Sequence, residues 1–321
     1  MKGKLGKIGL LLLTLVLISL PVFAAGQQEE KPLTVQMIVM SVNSEYWLNV
    51  KAGAEEELAK HNGRLIYTGP SIDGDIQGQI DMMENAITSK VDGIVLIPLD
   101  SEALVPSAQK AIAAGIPTVV VDGPINWDGV TSYIATDNVE ASHLAMETLE
   151  DLIGEKGKVA IINALAGIPS NDARNIGAQN ALKNYPDVQL LEILRGPDQA
   201  GALQNTENLL TANRDIAGIF SAYDRGAIGA GQALMNSGLA GKVRHVAFDA
   251  SPDQVDFLKD GVIDALVVQQ PYEMGRLAVE YIVKAKNGES VPKVVATDVV
   301  VVTRENMDDP NIQKVLNPTG N

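Results

Sequence analysis

Residues able to exchange hydrogen bonds with a small solute recur at one kind of place in this chain, shortly after apolar, β-branched runs. Asn43 and Ser44 follow Thr34–Met40, and Asp122 follows Thr118–Val121. Tyr223 and Asp224 follow Ala217–Ser221, Asp249 follows Val243–Phe248, and Gln269 follows Ala265–Val268. In open parallel sheets a ligand sits beyond the carboxyl ends of the strands, so these are the positions a binding residue would occupy. Asp122 and Asp249 each accept two hydrogen bonds or more, whereas Ser44 and Gln269 donate or accept. Turn formation competes with binding as the reason for any single Asp or Asn. Their recurrence at successive run ends favours a shared cleft.

The elements that must position these residues alternate along the chain. Besides the runs above, Gly93–Ile97 and Lys158–Ile162 read as buried strands. Between the strands lie helix-like segments over Glu45–His61, Asp75–Ser89, Glu102–Ala114, Val139–Ile153, Asp172–Asn184, Ala200–Asn213, Arg225–Asn236 and Tyr272–Asn287. Several of these end at Asn62-Gly63, Gly115, Gly238 or Asn287-Gly288, residues that tolerate the left-handed backbone of a helix stop. This is the pattern of βαβ units on parallel sheets, an α/β fold. The length exceeds what one core usually supports, so two domains are expected. Residues 305–321, rich in Asp, Asn and Pro, read as a loose tail.

Composition removes several function classes. Lys2, Lys4 and Lys7, the apolar stretch Ile8–Leu20 and the exit Val22-Phe-Ala-Ala25 form a secretory signal peptide by pattern, with cleavage expected after Ala24. Its removal takes three lysines and no acid, so the formal charge moves from −15 to −18. Such a charge argues against nucleic acid or anionic lipid as a partner. The chain has no cysteine, which removes lipid anchoring through cysteine, disulfides and thiolate metal sites. His61, His143 and His245 lack metal-ligand spacing. There is no nucleophile elbow, P-loop or dinucleotide fingerprint, so binding without turnover and without a cofactor is expected.

Taken in order, several short motifs resemble one family: Asn43-Ser-Glu-Tyr-Trp47 leading to Gly53, Val91-Asp-Gly-Ile-Val95, Gly115-Ile-Pro-Thr-Val119 closing on Asp122, Ala135-Thr-Asp-Asn138, Arg174-x-x-Gly177, Asp224 with Gly229, Phe248-Asp-Ala-Ser-Pro252, and Gln269-Gln-Pro271 with Gly275. The chain resembles periplasmic sugar-binding proteins of the ribose/galactose-binding type over roughly residues 33–303. The resemblance implies a type I periplasmic binding fold: two doubly wound parallel-sheet lobes joined by three hinge crossings. The first lobe would span 33–135 and 270–298, the second 136–269 and 299–304. The crossings would fall near Thr136-Asp137, Gln269-Gln270 and Asp298.

The same resemblance implies a cleft for a monosaccharide or polyol lined by Ser44, Tyr46, Trp47, Asp122, Arg174, Tyr223, Asp249 and Gln269. Tyr46 and Trp47 would supply the aromatic pair beside the sugar ring. Arg174 would donate a fork of hydrogen bonds, with a surface ion pair to Asp172 or Glu207 as its competing role. Tyr223 stands where ribose-binding relatives carry asparagine, and would take over stacking from a second-lobe aromatic that Gly196-Pro197 lacks. Asp224 and Asn138 are expected as helix caps. Gly123 departs from the arginine that ribose-type members carry, which argues against ribose itself. The expected role is a monomeric periplasmic solute-binding protein that delivers its sugar to an ABC transporter permease. The alternative is a receptor for a furanosyl or deoxy-sugar signal, with a chemoreceptor as partner.

Overall fold

The computed structural model describes residues 32–42, 44–72 and 74–318, so Asn43, the expected signal peptide and residues 319–321 lie outside the described residues. The first lobe is built from β1 (Thr34–Ile38), α1 (Glu45–Ala59), β2 (Arg64–Thr68), α2 (Ile76–Thr88), β3 (Gly93–Leu96), α3 (Val105–Ala113), β4 (Thr118–Val121) and β5 (Ser132–Thr136). The second follows with α4 (Asn138–Ile153), β6 (Gly157–Asn163), α5 (Pro169–Leu182), β7 (Val188–Arg195), α6 (Gln199–Ala212), β8 (Ile216–Ser221), α7 (Asp224–Asn236), β9 (Arg244–Phe248), α8 (Pro252–Lys259) and β10 (Ala265–Val268). The chain then adds α9 (Pro271–Lys286) and β11 (Val294–Thr297) to the first lobe, and β12 (Val300–Thr303) and α10 (Pro310–Leu316) to the second.

The two sheets repeat one plan. The first has the order β2-β1-β3-β4-β5-β11 and the second β7-β6-β8-β9-β10-β12. Every pairing is parallel except that of β10 with β12, where Val268 faces Val300 in an antiparallel register. The order 2-1-3-4-5 within each lobe is the doubly wound arrangement, with its ligand crevice at the carboxyl ends of the strands. Helices on both faces bury β3, β4 and β10 completely, which is why those strands are continuous apolar runs without alternation.

The backbone passes between the sheets between β5 and α4, between β10 and α9, and between β11 and β12. Two of these passages are tied together, since Gln270 Nε2 donates to the Asp298 carbonyl at 3.0 Å. In each lobe, helices that flank the cleft pack backbone to backbone through glycine. A Cβ on Gly177 of α5 would stand 2.0 Å from the Val139 carbonyl of α4, and one on Gly275 of α9 would stand 1.8 Å from the Val50 carbonyl of α1. These contacts set how far α5 and α1 reach into the cleft.

Two differences from the sequence reading are instructive. β2 and β7 are edge strands with half-buried, mixed polar sequences, and their weak apolar signal left them unrecognised. Residues 310–316, expected within a loose tail, form α10. Asp309 caps it by accepting from the Asn311 amide, and Ile312, Val315 and Leu316 pack on the apolar cluster beneath β12.

Candidate ligand-binding site

Each lobe brings one aspartate to the crevice by the same backbone device. Asp122, directly after β4, has φ 61°, and Asp249, directly after β9, has φ 74°. Both amides donate to the adjacent strand, Asp122 to Ile134 at 2.9 Å and Asp249 to Val267 at 3.0 Å. A non-glycine residue held at positive φ is uncommon, though Asp tolerates it better than most. The two strand ends therefore turn in the same way and aim one carboxylate each at the interlobe space.

A continuous hydrogen-bonded chain joins them across the hinge. The Tyr46 hydroxyl lies 3.1 Å from Asp122 Oδ1 and 3.3 Å from Gln269 Oε1. Gln269 Oε1 also accepts from Thr136 Oγ1 at 2.9 Å, and Gln269 Nε2 donates to Asp249 Oδ1 at 2.6 Å. Thr136 and Gln269 stand at two of the interlobe passages, so the network rests on the hinge itself.

Arg174 supplies the cation. Only 6% exposed, it sits over Phe248, its guanidinium carbon 3.7 Å from the ring centroid. Nε donates to Asn138 Oδ1 at 2.8 Å and Nη1 to the Ala222 carbonyl at 2.8 Å, with Nη1 3.9 Å from Asp249 Oδ2. The close approach of α4 and α5 at Gly177 is what places Asn138 beside Arg174. Arg174 thus points into the cleft, and the Asp172 ion pair is made by Arg195 instead, at 3.3 Å. Loss of water raises the affinity of Asp122 and Asp249 for protons, an effect that the Arg174 charge opposes at both. Burial, followed by the two carboxylates, pushes the Tyr46 hydroxyl well above its ordinary range and keeps it a neutral donor.

Ser44, Tyr46, Trp47, Asp122, Arg174, Tyr223, Asp249 and Gln269 all line one cavity of about 560 Å³ between the lobes. Their exposure to it differs. Trp47 packs largely into the first-lobe core at 8% exposure, edge-on to Tyr46 with ring centroids 4.7 Å apart. Ser44 precedes α1 and makes no side-chain capping bond. Tyr223 does not present an open ring face. It is 8% exposed, its ring covers Gly226, and its hydroxyl donates to the Gly196 carbonyl at 2.9 Å. The small residues at 196 and 226 let the ring sink into the core.

The expected caps also differ. Asp137, not Asn138, caps α4, accepting from the Val139 and Glu140 amides, while Asn138 braces Arg174. Asp224 makes no capping bond, stands in the first turn of α7 and lines the cavity with Arg225. Asn171 was missed by the sequence reading. It lines the cavity from α5, three residues before Arg174, and its buried Oδ1 has no protein partner. Its one sequence signal is the spacing to Arg174, which sets both on one helix face.

A family model described as a periplasmic binding protein domain matches residues 35–290. The chain belongs to this family. Among periplasmic binding proteins it is 32% identical to a D-allose-binding periplasmic protein of Escherichia coli over 268 residues, 80% of this chain and 86% of that one. It is 27% identical to a ribose import binding protein of Bacillus subtilis over 303 residues, covering 93% of this chain and 97% of that protein. A solved ABC transporter solute-binding protein from Agrobacterium vitis, with bound D-fucose, superposes with a TM-score of 0.77 at 37% identity, covering 88% and 99% of the two chains.

Proposed function

We propose that this periplasmic binding protein captures one monosaccharide between its lobes and delivers it to the permease of an ABC importer. The observation that carries this reading is the chain Asp122–Tyr46–Gln269–Asp249 with Arg174. It offers anionic acceptors, amide and guanidinium donors and a hydroxyl within one cleft, drawn from both lobes and from the hinge. Sugar hydroxyls both donate and accept, so a mixed set of this kind satisfies them where a uniformly acidic or basic site would not. The ligands of the relatives, D-allose, ribose and D-fucose, belong to this chemical class.

In this reading Asp122 and Asp249 accept from ring hydroxyls, Arg174 and Asn171 complete the polar set, and the edge of the Tyr46–Trp47 pair meets the C–H face. Tyr223 acts as a support for the second lobe and not as a stacking platform. The protein works as a monomer in the periplasm, exported by residues 1–24. The lobes comprise 33–135 with 270–298, and 136–269 with 299–316.

A thermal-shift panel of pentoses, hexoses, 6-deoxyhexoses and polyols tests the reading. A ligand at a hundredfold excess over Kd stabilises the folded state by about 2.7 kcal/mol, a shift of several degrees in Tm. If no sugar moves the transition while an amino acid or peptide does, the sugar reading is wrong.

A further inference from the structure

Residues 310–316 return to the cleft. β12 begins beside Val268 at the crevice end of β10 and runs away from it, and after a turn at Arg304–Asp308 the helix α10 runs back. A seven-residue helix covers roughly 10 Å, close to the length of the four-residue strand it retraces. The return brings Val315 and Leu316 to the wall of the interlobe cavity. There they share an apolar cluster with Ala250 and Val268, both of which also line the cavity. Pro271, at the start of α9, adjoins Val315 along a second cavity on the hinge side. Proline has no amide hydrogen to offer. Five residues whose side chains make no hydrogen bond therefore wall one part of the cleft, apart from the polar chain through Asp122, Gln269 and Asp249.

We infer that Val315 and Leu316 are specificity-determining residues, and that the sugar carbon turned toward them carries a methyl in place of a hydroxymethyl group. The ligand class this fits is a 6-deoxyhexose. A hydroxymethyl group lodged at that wall would give up its water without a partner, whereas a methyl gains contact. The inference rests on the sugar-receptor reading and narrows it.

The test is calorimetric titration with matched pairs that differ only at carbon 6: D-fucose and D-galactose, 6-deoxy-D-glucose and D-glucose, 6-deoxy-D-allose and D-allose. In the tightest pair the deoxy member should bind more strongly by about tenfold to a hundredfold, the discrimination an apolar pocket achieves against an added hydroxyl. Val315→Thr places a hydroxyl at the wall with little change of shape and should shrink that ratio severalfold. A second variant ending at Asp308 removes α10 altogether and should shrink it further, with circular dichroism confirming that both variants fold. A hydroxymethyl sugar binding as well as its deoxy partner overturns the inference and leaves the sugar-receptor reading intact. So does a ratio unchanged in both variants. If no sugar of either kind binds, the receptor reading falls and the inference with it.

Discussion

Replacing Asp122 with Asn separates what this site spends on folding from what it returns in binding. The substitution preserves shape, and Asn adopts the left-handed backbone at φ 61° at least as readily as Asp. Its Oδ1 still accepts from the Tyr46 hydroxyl, so the network beside it has no reason to collapse. What disappears is the anion. A hydrogen bond to a charged acceptor contributes roughly 1.5–3 kcal/mol and a neutral one roughly 0.5–1.5, so a sugar donating two hydroxyls to Asp122 should lose about 2–3 kcal/mol. Kd should then rise about 30- to 150-fold. Stability without ligand should move the other way. Burial raises the folded pKa of Asp122, so its contribution is fully present below the unfolded pKa and is lost as pH rises through the folded one. At pH 7.5 the neutral amide avoids that cost, and the ligand-free variant should melt higher than the parent. At pH 4 the difference should shrink, since the parent carboxyl is then partly protonated. Calorimetric titration with the tightest sugar of the panel and scanning calorimetry at both pH values make the measurement. A Kd within twofold of the parent, or a lower melting point at pH 7.5, refutes the reasoning.

Arg174→Met keeps the stem over Phe248 but removes the bonds to Asn138 and Ala222 and the charge opposite Asp249. Sugar titration should show affinity down by about a hundredfold or more, the scale of losing two charge-assisted bonds. Gly177→Ala would drive a Cβ to 2.0 Å from the Val139 carbonyl, so α4 and α5 must separate. Urea melts should report a loss of about 1–3 kcal/mol, with weakened sugar binding because Asn138 and Arg174 ride on those helices. Burial holds the folded pKa of His245 down at about 4, so its stabilising share exists above the unfolded value of 6.5 and is lost as pH falls between the two, by about 3 kcal/mol. Burial pushes Glu150 up to about 7, which gives the opposite dependence, with stability lost as pH rises from 4.5 toward 7. Urea melts from pH 4.5 to 7.5 should therefore show little net slope from this pair in the parent, a steeper fall with rising pH in His245→Gln, and a steeper fall with falling pH in Glu150→Gln.

What the sequence makes legible follows from burial. The central strands β1, β3, β4, β6, β8, β9 and β10 are covered on both faces, so each is an apolar run that announces itself. β2 and β7 lie at sheet edges, and a strand such as Arg64–Thr68 carries too little apolar pattern to be read alone. Asp122 and Asp249 were recognisable because strand ends face the crevice, but their left-handed backbone was not, since Asp serves equally well in an ordinary turn. Arg174 was legible through its spacing to Gly177. Its brace, Asn138, was not, because the contact spans 36 positions and depends on how closely α4 and α5 approach. Tyr223 shows the limit most plainly. A tyrosine after a strand can turn either way, and the space left by Gly196 and Gly226 decides that it turns inward. The wall made by Val315 and Leu316 was hidden by the polar composition around it.

The charge arrangement of the cleft bears on which ligand would favour closure of the lobes. Two carboxylates, one on each lobe, share a single buried arginine, and Arg174 belongs to the second lobe with Asp249. Asp122 is within reach of both charges, its proton affinity lowered by Arg174 and raised by Asp249. When the lobes part, water solvates Asp122. When they approach without ligand, that water is lost, and the Tyr46 hydroxyl, on the same lobe, is a donor that Asp122 already holds. A neutral sugar brings several hydroxyl donors and no charge of its own, so it satisfies the acceptors without disturbing the balance around Arg174. An anionic ligand would add repulsion from both aspartates. A ligand whose hydroxyl donors bind acceptors on both lobes at once would interact differently with closed and open forms, which is the requirement for a ligand to shift such an equilibrium.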